Sequence, residues 1–513
     1  MSFKPDRRDV LAGALAGAAL GWTGPALGAS PVGAVALGPS QPFSFERLKQ
    51  RAQALARTAY APSRSPDADA LHAVDYDAFG QAAYKPQMEL WPGGPQPVRL
   101  FPQGRYFTDP VAIHVLEGGA ARQVLYSPDL FDMPAAHPLR RLKAGGFAGF
   151  RLMSRGGQSD WLAYLGASYF RASEPFDQYG LSARGLAINS GGPAPEEFPR
   201  FTAFWLEQDG SGGLAVYALM ESRSVVGAYR MDNRRGPGAA TQDVQMELYF
   251  RAPVETLGIA PLTSMYWYGE NSTGPRPDWR PEVHDSDGLA LWTGAGERLW
   301  RPLADPPRIV TNSYLDQAPR GFGLIQRDRN FEDYQDDGIF YDKRPSLWIE
   351  PVGDWGRGAV KLVQLPTQGE TEDNIVAFWT PEAKAGAGSV IAARYRMRWM
   401  ADAPDAGGGR IVATRVGVGG RPGQPPVAGS RKYVIDVEGR ALEGLTRSSG
   451  VDAAVSASRG RIDNVQAYPV VGAKRWRMMF DLSGLDGQPA DLRAYLRKGG
   501  QALSETWIYQ AFP

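Results

Sequence analysis

The segment Asp243-Val244-Gln245-Met246-Glu247-Leu248-Tyr249-Phe250 alternates polar and apolar side chains, and this alternation decides the fold class. Successive side chains of a β-strand point to opposite faces, so the even-numbered residues of this segment would share one buried face. The same period of two recurs in segments 393–399 and 476–480. With 61 Gly and 41 Pro between short strand patterns, the chain is predicted to be all-β and sandwich-like rather than a doubly wound α/β protein.

A small, polar, turn-prone segment at residues 381–388 lies between two sets of strand patterns and predicts a linker. Residues 30–380 are expected to form one large β-sandwich, and residues 389–513 have the size of one immunoglobulin-like sandwich. Strands of the smaller unit are expected near residues 389–400, 431–438, 474–482, 490–497 and 505–510. One of few helix patterns follows Ser44, a candidate N-cap.

Residues 1–29 have the pattern of an export signal. Arg7-Arg8 precedes a Gly- and Ala-rich apolar run at residues 12–22, which is too short to span a bilayer as a helix. Adjacent arginines before a weakly hydrophobic segment favour the twin-arginine route, and a general secretory signal is the alternative. The sequence therefore predicts an exported protein that is soluble in the periplasm.

Composition excludes several classes of function. The 513 residues include 56 Lys and Arg against 55 Asp and Glu, so no basic surplus favours nucleic acid as a partner. Zero cysteines exclude disulfides, thiolate metal sites and a cysteine nucleophile, and the four histidines are scattered along the chain. Asp285-Ser286-Asp287-Gly288 lacks the distal glutamate of a calcium loop and is interpreted as a turn. We expect no metal and no cofactor.

Aromatic, acidic and arginine residues are concentrated between residues 266 and 301. A pyranose presents apolar C–H faces and a rim of hydroxyls, so such a mixture suits a carbohydrate site, although most aromatics of a β protein belong to its core. Glycoside hydrolysis requires two carboxyl groups on opposite sides of the scissile bond. Asp285 and Asp373 could serve, but composition alone does not select them among 55 acidic residues.

Long strings in the chain carry a resemblance to one known family. They are Gly166–Ala172, Tyr179–Ala187, Leu262–Tyr266, Tyr268–Asn271, Arg280–Ser286, Trp300–Leu303, Pro319–Arg327 and Asp373–Trp379. Together they resemble the periplasmic glucan biosynthesis proteins G and D over nearly the whole mature chain. The D type is the more similar in one respect, since its twin-arginine signal matches Arg7-Arg8.

The resemblance implies a large mutarotase-like β-sandwich joined to a smaller immunoglobulin-like domain. It also implies an enzyme that cleaves β-1,2-glucan internally with inversion; ring-forming or other transfer and non-catalytic glucan binding are the alternatives. By the same resemblance, Asp373 takes the position of the general acid and Asp285 that of the general base. Tyr341 resembles a proton-relay tyrosine, and Glu370 lies beside the acid in the matched string.

An inverting pair leaves room for a water, with roughly 6.5–9.5 Å between carboxyls, or more where a relay through Tyr341 intervenes. Glu372, where many relatives carry asparagine, could retune Asp373. The expected partners are the β-1,2-glucan, a second copy of the chain in a homodimer, and a membrane glucan synthase. Residues expected to line the glucan groove are Trp267, Tyr268, Trp279, Arg280, Glu282, His284, Arg301, Arg327, Arg344 and Trp355.

Overall fold

A computed structural model describes residues 33–513 except positions 155, 211, 406 and 426. The predicted export signal therefore lies outside the described residues. In the part of the chain that is described, no helix is long and apolar enough to cross a membrane.

Strands carry the fold, so the all-β prediction is confirmed. Up to residue 400 they are β1 Leu37–Pro42, β2 Ala83–Tyr84, β3 Val98–Pro102, β4 Ala112–Glu117, β5 Ala120–Val124, β6 Phe131–Asp132, β7 Phe147–Met153, β8 Asp160–Leu165, β9 Tyr169–Ala172, β10 Ser182–Arg184, β11 Ala187–Ile188, β12 Arg200–Gln208, β13 Leu214–Glu221, β14 Val225–Gly236, β15 Ala239–Phe250, β16 Leu257–Ser264, β17 Tyr266–Tyr268, β18 Val283–His284, β19 Gly288–Trp292, β20 Arg298–Pro302, β21 Val310–Gln317, β22 Gly321–Ile325, β23 Ser346–Pro351, β24 Arg357–Gln364, β25 Ile375–Pro381 and β26 Val390–Met400. After residue 400 they are β27 Arg410–Val418, β28 Arg431–Glu438, β29 Val451–Ala457, β30 Arg461–Pro469, β31 Trp476–Ser483, β32 Ala490–Lys498, β33 Gln501–Ala502 and β34 Thr506–Ala511.

Helices are short and few among the described residues. The α-helices are α1 Phe45–Ala56, α2 Ala68–Leu71, α3 Tyr76–Gly80 and α4 Phe331–Tyr334, and the 3₁₀ helices are Pro86–Met88, Pro128–Leu130, Pro138–Arg141, Tyr341–Lys343 and Arg440–Leu442. The predicted cap of α1 is confirmed, because Ser44 Oγ accepts the Arg47 N–H at 3.2 Å. This contact satisfies one of the backbone donors that a helix start leaves open.

Two large sheets face each other across the main core. The first runs β1-β5-β4-β12-β13-β14-β15-β26-β23-β22-β19-β20-β34-β32-β29, and the second runs β21-β24-β25-β16-β10-β9-β8-β7-β3. Tyr164 of the second sheet donates to Asn233 Oδ1 of the first at 2.6 Å, and its ring lies 6.0 Å from that of Phe204. The buried side chains between the sheets form one contiguous cluster, as expected of a sandwich.

The segment that predicted the fold lies in β15, and its four even-numbered residues are buried as expected. The opposite face of β15 is less exposed to solvent than the alternation predicts, because α1 covers part of that face. Leu48 and Ala52 of α1 pack in a separate buried cluster with Tyr249, which is 6% exposed. An amphipathic helix thus seals the outer face of the first sheet.

Strand β26 corrects the predicted domain boundary. The sequence assigned residues 389–400 to the carboxy-terminal unit, but β26 pairs with β15 on one side and with β23 on the other, in the middle of the first sheet. The alternating pattern identifies a strand but not its partner, since pairing is non-local. We therefore infer that the boundary between the two units lies after Met400 rather than at 381–388.

The carboxy-terminal unit is a smaller sandwich. Strands β27, β28, β31 and β30 form one sheet, which packs on the β34-β32-β29 end of the first large sheet through a second buried cluster. Trp300 and Trp348 of the amino-terminal unit belong to the same cluster, and β20 pairs in parallel with β34. A shared core and a shared sheet join the two units.

Candidate functional site

Strands β17 and β18 form the floor of the candidate site. They pair antiparallel, with Tyr266 opposite His284. Asp285 follows β18, and its backbone N–H donates to Met265 O at 2.9 Å. Asp285 is 1% exposed, so its carboxylate is held inside the protein at the end of this hairpin.

Asn374 binds the segment that carries Asp373, the second predicted aspartate, to the same floor. Its Oδ1 accepts the Tyr266 N–H at 2.8 Å, and its Nδ2 donates to Tyr266 O at 2.8 Å. Asp373, the residue before it, is half-buried at the entrance to β25. Asp285 and Asp373 are therefore tied to the adjoining residues Met265 and Tyr266, although they are far apart in the sequence.

A short side-chain hydrogen bond joins Tyr341 and Glu370. Tyr341 Oη donates to Glu370 Oε2 at 2.5 Å, and Arg280 Nη1 donates to the same carboxylate oxygen at 2.8 Å. Burial raises the pKa of Tyr341, and the negative charge of Asp285 raises it further. Tyr341 is therefore a neutral hydroxyl close to two carboxylates, one of which orients it.

Arg280 is the hub of this network. Its Nη1 donates to Asp336 Oδ2 at 2.7 Å, and its Nη2 donates to Asp278 Oδ2 at 2.8 Å. The Arg280 guanidinium lowers the pKa of Asp278. Burial opposes the charge of Asp336, but hydrogen bonds from the Ile339 N–H and from Arg280 outweigh it and lower the pKa of Asp336. Three carboxylates thus hold one guanidinium, whose centre lies 5.9 Å from the centre of the Tyr341 ring.

Replacing Arg280 with methionine is expected to lower the free energy of unfolding by about 3–5 kcal/mol, because it leaves the buried carboxylate of Asp336 without its cation. Chemical denaturation at pH 7 would measure the loss. Arg276→Met, at an exposed arginine of the same loop, is the matched control and should unfold like the wild type. Equal stability of the Arg280 and Arg276 variants would contradict this role.

Four further predicted residues gather around Tyr341. Arg344 Nε lies 3.6 Å from Asp285 Oδ1, and the guanidinium is 5.2 Å from the centre of the Tyr341 ring. Tyr268 Oη donates to Arg280 O at 3.1 Å, and the Trp267 ring packs 5.2 Å from the Tyr268 ring. Trp279 is 71% exposed, so its indole faces solvent beside Arg280.

Glu282 and His284 lie beneath the site rather than on its surface, which corrects their assignment to the groove. His284 is 0% exposed, and its Nε2 lies 3.0 Å from Glu282 Oε2. The imidazole stacks on the Tyr266 ring at 5.3 Å. These two residues can support the floor, but they cannot touch a glucan chain.

Two predicted arginines are bound elsewhere and do not reach the site. Arg327 is buried, and its two terminal nitrogens donate to the two carboxylate oxygens of Glu505 at 2.9 Å. Arg301, 2% exposed, donates to Gln364 Oε1 at 3.3 Å and lies over the Tyr509 ring at 5.0 Å. Arg327 thus connects the amino-terminal unit to Glu505 of the carboxy-terminal unit. Arg301 contacts Gln364 of its own unit and Tyr509 of the other.

Trp355 is also outside the site. Its Nε1 donates to Arg394 O at 3.1 Å, and its ring lies 6.1 Å from that of Trp379. Trp379 is six residues beyond Asp373 along β25, a distance of about 20 Å in an extended strand. Trp355 therefore packs at the opposite end of the second sheet.

Behind the floor lies a group of partly buried carboxylates that the sequence did not reveal. Burial, followed by the charge of Asp328, raises the pKa of Glu270 to about 9. Burial and then the charge of Glu282 raise the pKa of Asp328 to about 7. Burial likewise raises the pKa of Asp287. Crowded acids in a dry interior retain protons that they would lose in water.

Within this group, Glu282, His284 and Asp328 each offer a ligand atom within 4.8 Å of the others. These three residues could hold a divalent cation, and in the structure His284 Nε2 lies 3.0 Å from Glu282 Oε2. Of the site residues that sequence reasoning missed, Asp336 had the clearest signal. It opens the turn motif Asp336-Asp337-Gly338 just before Tyr341.

Comparisons with known proteins agree with this architecture. Residues 43–511 match the family described as "Periplasmic glucan biosynthesis protein, MdoG". The chain is 46% identical over 530 residues to "Glucans biosynthesis protein D 2" of Ralstonia nicotianae, covering 99% of this chain and 98% of that protein. It is 45% identical over 500 residues to "Glucans biosynthesis protein D" of Xanthomonas oryzae pv. oryzae, covering 95% of this chain and 93% of that protein.

A solved galactose mutarotase-related enzyme from Lactobacillus acidophilus is similar at 8% identity and a TM-score of 0.22, covering 49% of this chain and 94% of that one. A likeness this weak carries no argument, and the fold rests on the strand pairing described above. The match over 43–511 and the near-complete coverage of relatives at 45–46% identity decide the family. The chain belongs to the family of periplasmic glucan biosynthesis proteins of the MdoG type.

Proposed function

We propose that this protein cleaves β-1,2-glucan inside the chain, with inversion at the anomeric carbon, as a step of periplasmic glucan biosynthesis. Asp373 would protonate the leaving oxygen, and Asp285 would act as the general base that activates water. The observation that carries the proposal is that the Asp285 backbone bonds to Met265 and that Asn374, next to Asp373, bonds to Tyr266, so the segments that carry the two aspartates meet on adjoining residues.

Tyr341 would connect water to the base. As water attacks, its proton would pass to the Tyr341 oxygen while the Tyr341 proton moves to Asp285, so the relay ends with a neutral tyrosine and a protonated aspartate. The charge of Asp285 acts on Tyr341, which supports this role. In the structure the Tyr341 O–H donates to Glu370, so the hydroxyl would turn from Glu370 to Asp285 as the proton is relayed. Glu370 and Arg280 would be positioning residues for the tyrosine.

The glucan would lie along the exposed side of this network. Trp279 and Trp267 present indole rings that could stack on the C–H faces of glucose, and Arg344 could donate to hydroxyls beside Asp285. The Arg344 Nε is also 3.6 Å from the Asp285 carboxylate, so Arg344 could orient this side chain.

The family description supports a periplasmic location. Export through the twin-arginine route depends on residues 1–29 and stays a prediction. A homodimer and a membrane glucan synthase as partner also stay predictions, because the structure contains one chain.

The test is to incubate the mature protein with linear β-1,2-glucan and to follow the products by mass spectrometry and by NMR of the anomeric protons. Shorter linear chains that appear first as α-anomers would support inverting hydrolysis. Products lacking one water would replace hydrolysis with ring-forming transfer. An intact polymer that demonstrably binds would refute catalysis and leave a glucan-binding biosynthesis factor.

A further inference from the structure

A cleft of about 920 Å³ lies between the amino-terminal unit and the carboxy-terminal unit. Trp292 on β19 and Arg298 on β20 belong to one wall, together with Arg320 just before β22; Arg440 and Tyr495 belong to the other. Asp285, Tyr341, Glu370 and Asp373 are absent from the described residues that line it. The cleft is therefore separate from the proposed catalytic site.

Among the described residues, six arginines and five carboxylates line this cleft, and three of the arginines are paired with carboxylates that also line it. The paired ones are Arg327 with Glu505, Arg410 with Asp402, and Arg493 with Glu297. Within the described residues, Arg298, Arg320 and Arg440 form no ion pair. The cleft thus has an excess of positive charge on the side formed by β19, β20 and β22.

Arg298 is the most unusual of the three unpaired arginines. Its Nε and Nη2 are buried and have no hydrogen-bond partner among the described residues. Its guanidinium lies 3.5 Å from the centre of the Trp292 ring, and burial lowers the pKa of this group. Glu505 and Asp405 act on Arg298 through their charge, but neither accepts a hydrogen bond from it.

Arg320 approaches the same indole from the neighbouring strand. Its guanidinium is 5.5 Å from the centre of the Trp292 ring, because Trp292 pairs with Arg298 on one side and with Gly321 on the other. Two like charges are therefore brought to one aromatic side chain. The ring attracts both cations but cannot accept the in-plane N–H groups of a guanidinium.

Arg298 is half-buried, and its two buried nitrogens are unfavourably placed, because they have lost their hydration and gained no hydrogen bonds in return. Two oxygens on one planar or tetrahedral group are the natural complement of its forked donors. We propose that the cleft between the two units binds the phosphate or carboxylate group of an acidic ligand, with Arg298 and Arg320 as the binding residues.

This assignment also explains the environment of Arg327, which the sequence placed in the glucan groove. Arg327 lines the same cleft, but both of its terminal nitrogens are occupied by Glu505. An arginine held in this way shapes the wall and leaves ligand binding to Arg298 and Arg320. A neutral glucan cannot neutralise the unpaired arginines, so we expect the cleft to prefer a ligand with an acidic group.

The experiment is isothermal titration calorimetry of the full chain with glucose 6-phosphate, inorganic phosphate and glucose at low ionic strength. Both phosphate compounds are expected to bind and glucose is not, and binding should weaken as salt is added. Tighter binding of glucose 6-phosphate than of phosphate would identify a sugar-borne acidic group, and equal binding would identify a free anion.

The variants are Arg298→Gln with Arg320→Gln, and Arg320→Gln alone, which changes an exposed residue and leaves the core intact. Loss of affinity for the phosphate compounds by about tenfold or more would support the proposal. Arg234→Gln, at an arginine 57% exposed on β14 and five strands from β19 in the sheet order, is the control. Wild-type affinity in both variants, or equal binding of glucose and glucose 6-phosphate, would overturn it.

Discussion

Asp373→Asn is expected to slow the cleavage of β-1,2-glucan by about 10²–10⁴-fold, which is the usual contribution of general acid catalysis. Asparagine preserves the shape of the side chain but cannot donate a proton to the leaving oxygen. Asn374, which anchors the loop on Tyr266, is unchanged in the variant, so the variant should fold and bind glucan normally. Initial rates measured from reducing ends, beside binding by calorimetry, would separate the two effects.

The leaving group distinguishes an acid from a merely structural residue. A 4-nitrophenyl β-1,2-linked oligoglucoside has a leaving group that needs little protonation, so Asp373→Asn should lose far less activity on it than on the natural polymer. Asp285→Asn should lose activity on both substrates, because water activation is required in each case. Asp337→Asn, at an exposed neighbour of Asp336, is the control. A uniform loss on both substrates for Asp373→Asn would refute its assignment as the acid.

Raising the pH from 5.5 to 8.5 is expected to destabilise the protein through the buried acidic group. Glu270, with a pKa of about 9, and Asp328, with a pKa of about 7, keep protons in the folded state that the unfolded chain releases above about pH 4–5. Stability is therefore complete below the unfolded pKa and falls as pH rises through each folded pKa, by at most about 1.4 kcal/mol per pH unit for each carboxyl.

Glu270→Gln should flatten this pH dependence, because glutamine is neutral throughout and can still accept the Thr414 N–H that Glu270 Oε1 accepts. Denaturation with urea at pH 5.5, 7.0 and 8.5 would give the three free energies of unfolding. Glu382→Gln, at a side chain 63% exposed, is the matched control and should keep the wild-type slope. A parallel loss of stability in Glu270→Gln and the wild type would contradict a proton held by Glu270 in the folded state. Asp278 and Asp336, whose pKa values are lowered, change stability only under more acidic conditions.

Local patterns predicted the strands well but not their partners. The alternation in β15 correctly identified its core face, and Ser44 correctly marked the start of α1. The pairing of β26 with β15 and β23 could not be predicted, because it joins segments about 150 and 50 residues away. Residue type alone gives no sign of which distant strand will accept the hydrogen bonds.

The candidate site, too, could be predicted only in part from the sequence. Arg280 and Arg327 both stand in strings that resemble the family, yet Arg280 lies beside Tyr341 and Arg327 is bound to Glu505. A single sequence cannot separate them, because the difference comes from contacts across 90 residues in one case and 178 in the other. Trp355 was misplaced because an aromatic side chain packs in a core as readily as it stacks on a sugar.

The position of β26 determines how the molecule can be divided. A chain ending within 381–388 would lack the central strand of the first sheet, and the exposed edges of β15 and β23 would carry unpaired backbone groups over much of their length. Such edges promote association between chains. During synthesis, the two halves of the first sheet stay apart until residue 400 has been made, so the amino-terminal unit completes its folding late. An isolated amino-terminal fragment must extend through Met400 to preserve the sheet.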